Sequence, residues 1–199
     1  LNKYFDLWKR VLTKPEQTFK TEIKKSTPEE FTKNLAVAGL IAGFITGLVT
    51  ALGVGSTFFG AIGSITAFVL VLVAMPLLFI FGVLINSAVM YVFSWLLGGK
   101  GSFINQSYLI SLYTAPLNIL ANVLVFIPVI NIIAFIILGV YSLYLLTLVL
   151  KQTHGFDTGK AILIWLLPIV ISLLLMLVMA MVVTSLPLIL QQFNQSLTV

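Results

Sequence analysis

Apolar residues run through this chain in blocks too long for a water-soluble core. A spanning helix needs about 20 mostly apolar residues to cross a hydrocarbon layer of roughly 30 Å. Five blocks meet that length: 34–54, 62–97, 105–126, 129–150 and 161–190. The second is ambiguous, because as one helix it would be about 54 Å long at 1.5 Å per residue. Pro76 near its middle allows one long kinked helix or two half-length helices, and hence five or six crossings. Residues 1–33 are different in kind. There Tyr4, Phe5, Trp8, Val11 and Leu12 recur at helical spacing opposite Lys3, Asp6, Lys9 and Arg10, the pattern of an amphipathic helix lying in a membrane interface. Thr13-Lys14-Pro15-Glu16 reads as a second helix start, with Thr13 as N-cap. Phe19 and Ile23 mark its apolar side. Thr27-Pro28-Glu29-Glu30 repeats the signal, and the helix it opens should run on into the first span.

The predicted fold is therefore an all-α integral membrane protein. An amphipathic N-terminal interfacial segment, 1–33, precedes a five-span helical bundle, 34–199. Phe5, Trp8, Leu12 and Phe19 are expected at the membrane surface, as a juxtamembrane anchor or, alternatively, a partner-docking or curvature-sensing surface.

Charge decides the number of crossings. Only 9% of the 199 residues are charged and 60% are hydrophobic, against about 25% charged in a soluble domain. Eight of eleven basic and five of six acidic residues lie in 1–33. With five spans, Lys100, Lys151, Lys160 and Asp157 all fall in loops on the side of the N-terminus, and the opposite loops are uncharged. That distribution is what the positive-inside rule requires of a cytoplasmic N-terminus and an external C-terminus. A sixth crossing at Pro76 would break it. The net charge of +5 belongs to one membrane face and implies no nucleic-acid partner, since acidic residues are interleaved with the basic ones. The charged stretch exceeds thirty residues and leads into a spanning segment, so no cleavable signal peptide is expected.

Small and polar residues within the spans suggest how the bundle holds together. Gly39, Gly43 and Gly47 form a stripe that lets helix backbones approach, within the bundle or in a homo-oligomer. Asn86, Asn118 and Asn122 suit interhelical hydrogen bonds or, alternatively, a solute path. No Asp, Glu, Lys, Arg or His lies inside any block, which disfavours proton relays and ion coupling. His154 and Asp157 could supply half of a metal site, but a solvated loop in which Asp157 or Thr158 caps the last helix is the expectation. Without cysteine or any nucleophile, phosphate-loop or zinc-protease motif, no enzyme activity, cofactor or metal is expected.

Several stretches together resemble the Yip family, whose domain is a five-span bundle. They are Trp8-(x)2-Val11-Leu12-(x)2-Pro15-(x)3-Phe19, Gly98-Gly99-Lys100-Gly101-Ser102-Phe103 with Tyr113-Thr114-Ala115-Pro116, Phe126-Ile127-Pro128-Val129-Ile130, and His154-Gly155-Phe156-Asp157-Thr158-Gly159-Lys160-Ala161. Gly98, Gly99 and Gly101 are expected to end the second span, where they permit positive φ. Ser102 should cap the third, and Pro116 should bend it one turn after Tyr113. Eukaryotic Yip proteins are implicated in vesicle trafficking with prenylated Rab-type GTPases. This chain has a short N-terminal segment and no Asp-Leu-Tyr-Gly-Pro motif, so GTPase binding does not carry over. The resemblance implies a prokaryote-type, non-enzymatic protein of the cell membrane, with a membrane-organising or adaptor role. The alternative is a small transporter, channel or lipid-moving protein, which a one-sided cavity lined by Asn86, Asn118 and Asn122 would favour. Expected partners are the lipid bilayer and a second copy or another membrane protein.

Overall fold

A computed structural model describes residues 1–52, 64–124 and 128–197. The loop 55–61, the ends of the first two blocks and the turn at Phe126-Ile127 lie outside the described residues. Among the described residues all regular elements are helical: α1 (Asn2–Thr13), α2 (Pro15–Glu22), a 3-10 turn (Ile23–Lys25), α3 (Pro28–Ala51), α4 (Ser64–Leu96), α5 (Phe103–Leu124), α6 (Pro128–His154) and α7 (Thr158–Leu197). Five of these, α3 to α7, are long and apolar enough to cross a membrane.

The helix boundaries follow from local chemistry. Thr27 accepts a hydrogen bond from the Glu30 N–H at 3.1 Å and Pro28 fills the first helical position, so α3 starts there and runs on into the first apolar block as the Thr-Pro-Glu-Glu signal predicts. Thr13 departs from expectation. It closes α1 by donating to the Lys9 carbonyl at 2.7 Å, and the joint to α2 is Lys14, at φ −139°, with no side-chain cap. Pro15 then needs no N–H partner at the first position of α2.

The long second block is one helix. At 33 residues α4 is about 50 Å long, with Pro76 inside it. Helices α3 and α5 run parallel: Asn34 bonds Ser111 near one end of the pair, and Thr46 bonds Asn122 at the other. Two parallel spans need an odd number of crossings between them, and α4 supplies one.

Burial runs opposite to hydropathy. Helix α5, the least apolar span, is the most buried, whereas α7 is among the most apolar and its spanning window shows no buried residue. Lipid is as good a solvent as a neighbouring leucine for an apolar side chain. The inside is where groups that lipid cannot satisfy find partners, such as Gln106 and Ser111 of α5. Helix α5 sits centrally against α3, α4, α6 and α1, and α7 closes the side by touching α6 and α4.

Gly39, Gly43 and Gly47 face α4 inside the bundle. A Cβ at Gly39 would lie against the backbone of Pro76, and one at Gly43 would be 3.2 Å from Leu72 Cα. The glycine stripe is thus the seam between the first two spans.

The N-terminal helices do not lie outside the bundle. Trp8 is 3% and Phe19 1% exposed, and Val11 is fully buried. Both Trp8 and Phe19 were expected at the membrane surface, and so was Leu12, which is only half-buried. The aromatic stripe instead covers the end of the span bundle, with α1 on α5 and α2 on α6. The physical reason is that a bundle end offers both apolar contact and hydrogen-bond partners, whereas the interface offers the indole N–H only water or headgroups. Of the four, only Phe5 points outward, 51% exposed, edge-on to Trp8 at 5.4 Å.

Candidate functional site

Two buried polar clusters organise the end of the molecule that carries the charges. The first ties the N-terminal helices down. Trp8 Nε1–H donates to Asn34 Oδ1 at 2.8 Å, and the Asn34 amide donates to the Ser111 carbonyl at 2.8 Å. Tyr141 Oη–H donates to the carbonyl of Leu12 at 2.6 Å, and Tyr108 Oη–H to Glu22 at 3.3 Å. Glu22 is a buried carboxylate at 3% exposure, and Lys25 at 2.8 Å and Arg10 at 3.9 Å compensate it. Since an uncompensated buried charge is very costly, this arrangement fixes where α2 ends relative to α5.

The second cluster brings the motif residues together. Gly98 ends α4 at φ +85°, with Gly98 N–H donating to Trp95 O and Gly99 N–H to Ser94 O, the paired bonds of a Schellman cap. Gly98 alone of the three glycines uses positive φ, and Gly99 and Gly101 serve close approach. A Cβ at Gly99 would be 2.6 Å from His154 Nδ1, and one at Gly101 would overlap the Thr153 carbonyl. Ser102 caps α5 by accepting from Asn105 N–H at 3.1 Å. Asp157 caps α7 by accepting from Lys160 N–H at 2.8 Å, and Gly155 turns the chain between α6 and α7 at φ +71°.

His154 lies in no solvated loop. It is the last residue of α6 and buried at 7% exposure. Its Nδ1 accepts from Gly101 N–H at 3.1 Å. A backbone N–H can only donate, so the ring proton sits on Nε2 and is donated to Gln106 Oε1 at 2.7 Å. The Gln106 amide in turn donates to the Ser87 carbonyl at 2.8 Å. One chain of bonds thereby links the α4–α5 loop, α6, α5 and α4, and Phe156 stacks on the imidazole at 5.3 Å. With both ring nitrogens occupied, His154 has no lone pair for a metal. Among the described residues no three His, Asp or Glu side chains gather into a metal-binding group. Replacing His154 with Leu strands the Gln106 acyl oxygen and the Gly101 N–H, at about 1–3 kcal/mol for each buried group left unpaired. Thermal unfolding in detergent should show the loss, and an unchanged transition would refute the staple.

The intramembrane asparagines part ways. Asn122 accepts from Thr46 at 3.0 Å, an interhelical bond of the expected kind. Asn118 is exposed and donates to Thr114 O in its own helix. It lines a groove between α5 and α6, whereas Asn86 lines another, between α4 and α7. Asn86 and Asn118 thus lie on separate grooves. Tyr113 is buried with Pro116 in the centre of α5. Sequence reasoning passed over Glu22, Asn34, Gln106, Tyr108 and Ser111. For Gln106 and Ser111 the cue was a polar run in the least apolar span, while the i,i+3 pairing of Glu22 with Lys25 gives no sign of its burial against Tyr108, 86 residues away.

Five long apolar helices around buried polar staples define a multi-pass α-helical membrane protein. The chain belongs to the Yip1 domain family, whose model matches residues 9–180, from within α1 to within α7. No curated protein and no solved structure matches it.

Proposed function

We propose that this protein is a non-enzymatic membrane-organising or adaptor protein of the cell membrane, with the N-terminus and the charged loops cytoplasmic and the C-terminus outside. The observation that carries this reading is the docking of α1 and α2 onto the bundle end, which makes a fixed platform of a segment that would otherwise be a tether. The apolar and hydrogen-bonding sides of the platform are used up against the spans. Its outer face keeps Lys9, Lys14 and Lys24 exposed, on the face where anionic headgroups or an acidic partner surface would meet them. Clustering of the charged loops at that same end supports the orientation.

Two measurements test it. The chain contains no cysteine, so single substitutions report topology directly. Lys100→Cys and Lys160→Cys should react with an impermeant maleimide only in inverted vesicles, and Gln192→Cys in intact cells. The reverse pattern would overturn the orientation. For the role, Lys9→Glu, Lys14→Glu and Lys24→Glu together should leave insertion and thermal stability unchanged while abolishing complementation of a deletion strain. Full complementation would sink the platform reading.

A further inference from the structure

Below α2 the bundle surface carries two adjoining depressions, one polar and one apolar. The polar one, about 360 Å³, is bordered by Glu16, Lys20, Lys151 and Gln152. The apolar one, about 470 Å³, runs down the groove between α6 and α7 past Leu143, Tyr144, Ile162 and Val140. Glu16, Leu148 and Lys151 border both, so the two are continuous. On the groove floor the indole of Trp165 and the hydroxyl of Thr147 satisfy each other and the backbone. Trp165 Nε1–H donates to Thr147 Oγ1 at 3.0 Å, and that hydroxyl donates to the Leu143 carbonyl at 2.8 Å.

Dimensions and charge identify what fits. From Lys151 to Val140 the groove follows α6 for about 16 Å at 1.5 Å per residue, and one leaflet of hydrocarbon is about half of 30 Å, or roughly 15 Å. The apolar part is thus one leaflet deep and opens at the charged end. At the mouth Lys151 is held across the groove by donating to Thr158 Oγ1 at 2.9 Å, which leaves two of its three N–H bonds for a ligand. Among the described residues, neither Lys20 nor Lys151 nor Glu16 takes part in an ion pair. Two cations and one carboxylate, all uncompensated, complement a phosphate joined to a primary ammonium.

We propose that this composite groove is a binding site for an ethanolamine-type glycerophospholipid. Its phosphate sits between Lys20 and Lys151, its ammonium donates to Glu16, and one acyl chain lies between α6 and α7 over the Thr147–Trp165 floor. The site does not depend on the adaptor reading, because inverting the bundle would change only the leaflet that supplies the lipid. A choline headgroup, which has no N–H to donate, and a glycerol headgroup, which has no positive charge, both fit less well.

Native mass spectrometry of the delipidated full-length protein, titrated with dioleoyl phosphatidylethanolamine, phosphatidylcholine or phosphatidylglycerol, tests this. The ethanolamine lipid should give a saturable one-to-one adduct at the lowest lipid concentration. Lys20→Gln with Lys151→Gln should weaken that adduct about tenfold, the size expected for two charge-assisted contacts at a partly exposed mouth. Ile162→Trp, which fills the groove without touching the mouth, should abolish it. Glu16→Gln should retain binding but remove the preference over phosphatidylglycerol. Each variant is checked for wild-type thermal unfolding beforehand. Adducts that are equal for all three lipids, or unchanged in either the lysine or the Ile162 variant, would overturn the site. A preference that survives Glu16→Gln would overturn the headgroup assignment.

Discussion

Replacing Trp8 with Ala is expected to lower the stability of the protein by about 3–5 kcal/mol, the range for removing a buried tryptophan, and to release the first two helices from the bundle. Three losses combine at this position. The indole is 3% exposed in a core it shares with Val11 and α5, so truncation leaves a cavity. Its N–H is the partner of Asn34 Oδ1, a buried acceptor that would then be unsatisfied. Asn34 is in turn held by Ser111, so losing the indole loosens the amide that joins α3 to α5. Trp8→Phe separates these effects. It keeps most of the ring and removes only the bond, so about 1–3 kcal/mol is expected. The measurements are thermal unfolding in detergent and tryptic cleavage after Arg10 and Lys20, which should accelerate in Trp8→Ala while the spans stay inserted. A surface-lying Trp8 would give a small change in both, and that result would contradict the docked arrangement.

Gly39→Ala is the second large effect. Alanine is ordinarily the better helix former by about 0.8–1.0 kcal/mol, so an exposed site would gain from this change. At Gly39 the added methyl meets the Pro76 backbone and comes within 3.1 Å of the Met75 carbonyl carbon. Neither can rotate away as a side chain would, so α3 and α4 must separate along the seam. Overpacking costs of about 1–3 kcal/mol, occasionally more, set against that gain of about 1 kcal/mol, leave a net loss of up to about 2 kcal/mol. Gly82→Ala is the internal control, because a Cβ there meets nothing within 4 Å and the substitution should be neutral or stabilising. Equal melting temperatures for the Gly39 and Gly82 variants would show that the stripe is not the α3–α4 seam.

Much of the architecture is legible in the order of residues, and the reasons are local. Span length follows from bilayer thickness. Thr27, Ser102 and Asp157 cap helices through atoms three residues away, and Gly98 and Gly155 occupy positive φ next to helix ends. The five-span count follows from where Lys100, Lys151 and Lys160 stand relative to the apolar blocks. The misreadings are equally instructive. Helical periodicity identifies the apolar face of α1 but not its neighbour, and the same stripe of Trp8 and Val11 would suit either lipid headgroups or the end of a bundle. His154 looks like a loop residue because its partners, Gly101 and Gln106, lie 53 and 48 residues earlier.

From the chain alone come the all-α membrane fold, the number of spans and the face that carries the charge, because each depends on distances along one helix or on transfer from water to lipid. Only the packed helices show that Trp8 and Phe19 are interior and that Glu22 is a compensated buried carboxylate. The same holds for the three asparagines, which serve different grooves, and for the mouth under α2, which adjoins an apolar channel one leaflet deep. Each of these joins groups distant in sequence, and their meeting depends on which helix faces approach, which the polarity along one helix does not specify; at the α3–α4 seam Gly39 and Gly43 set it through backbone contact.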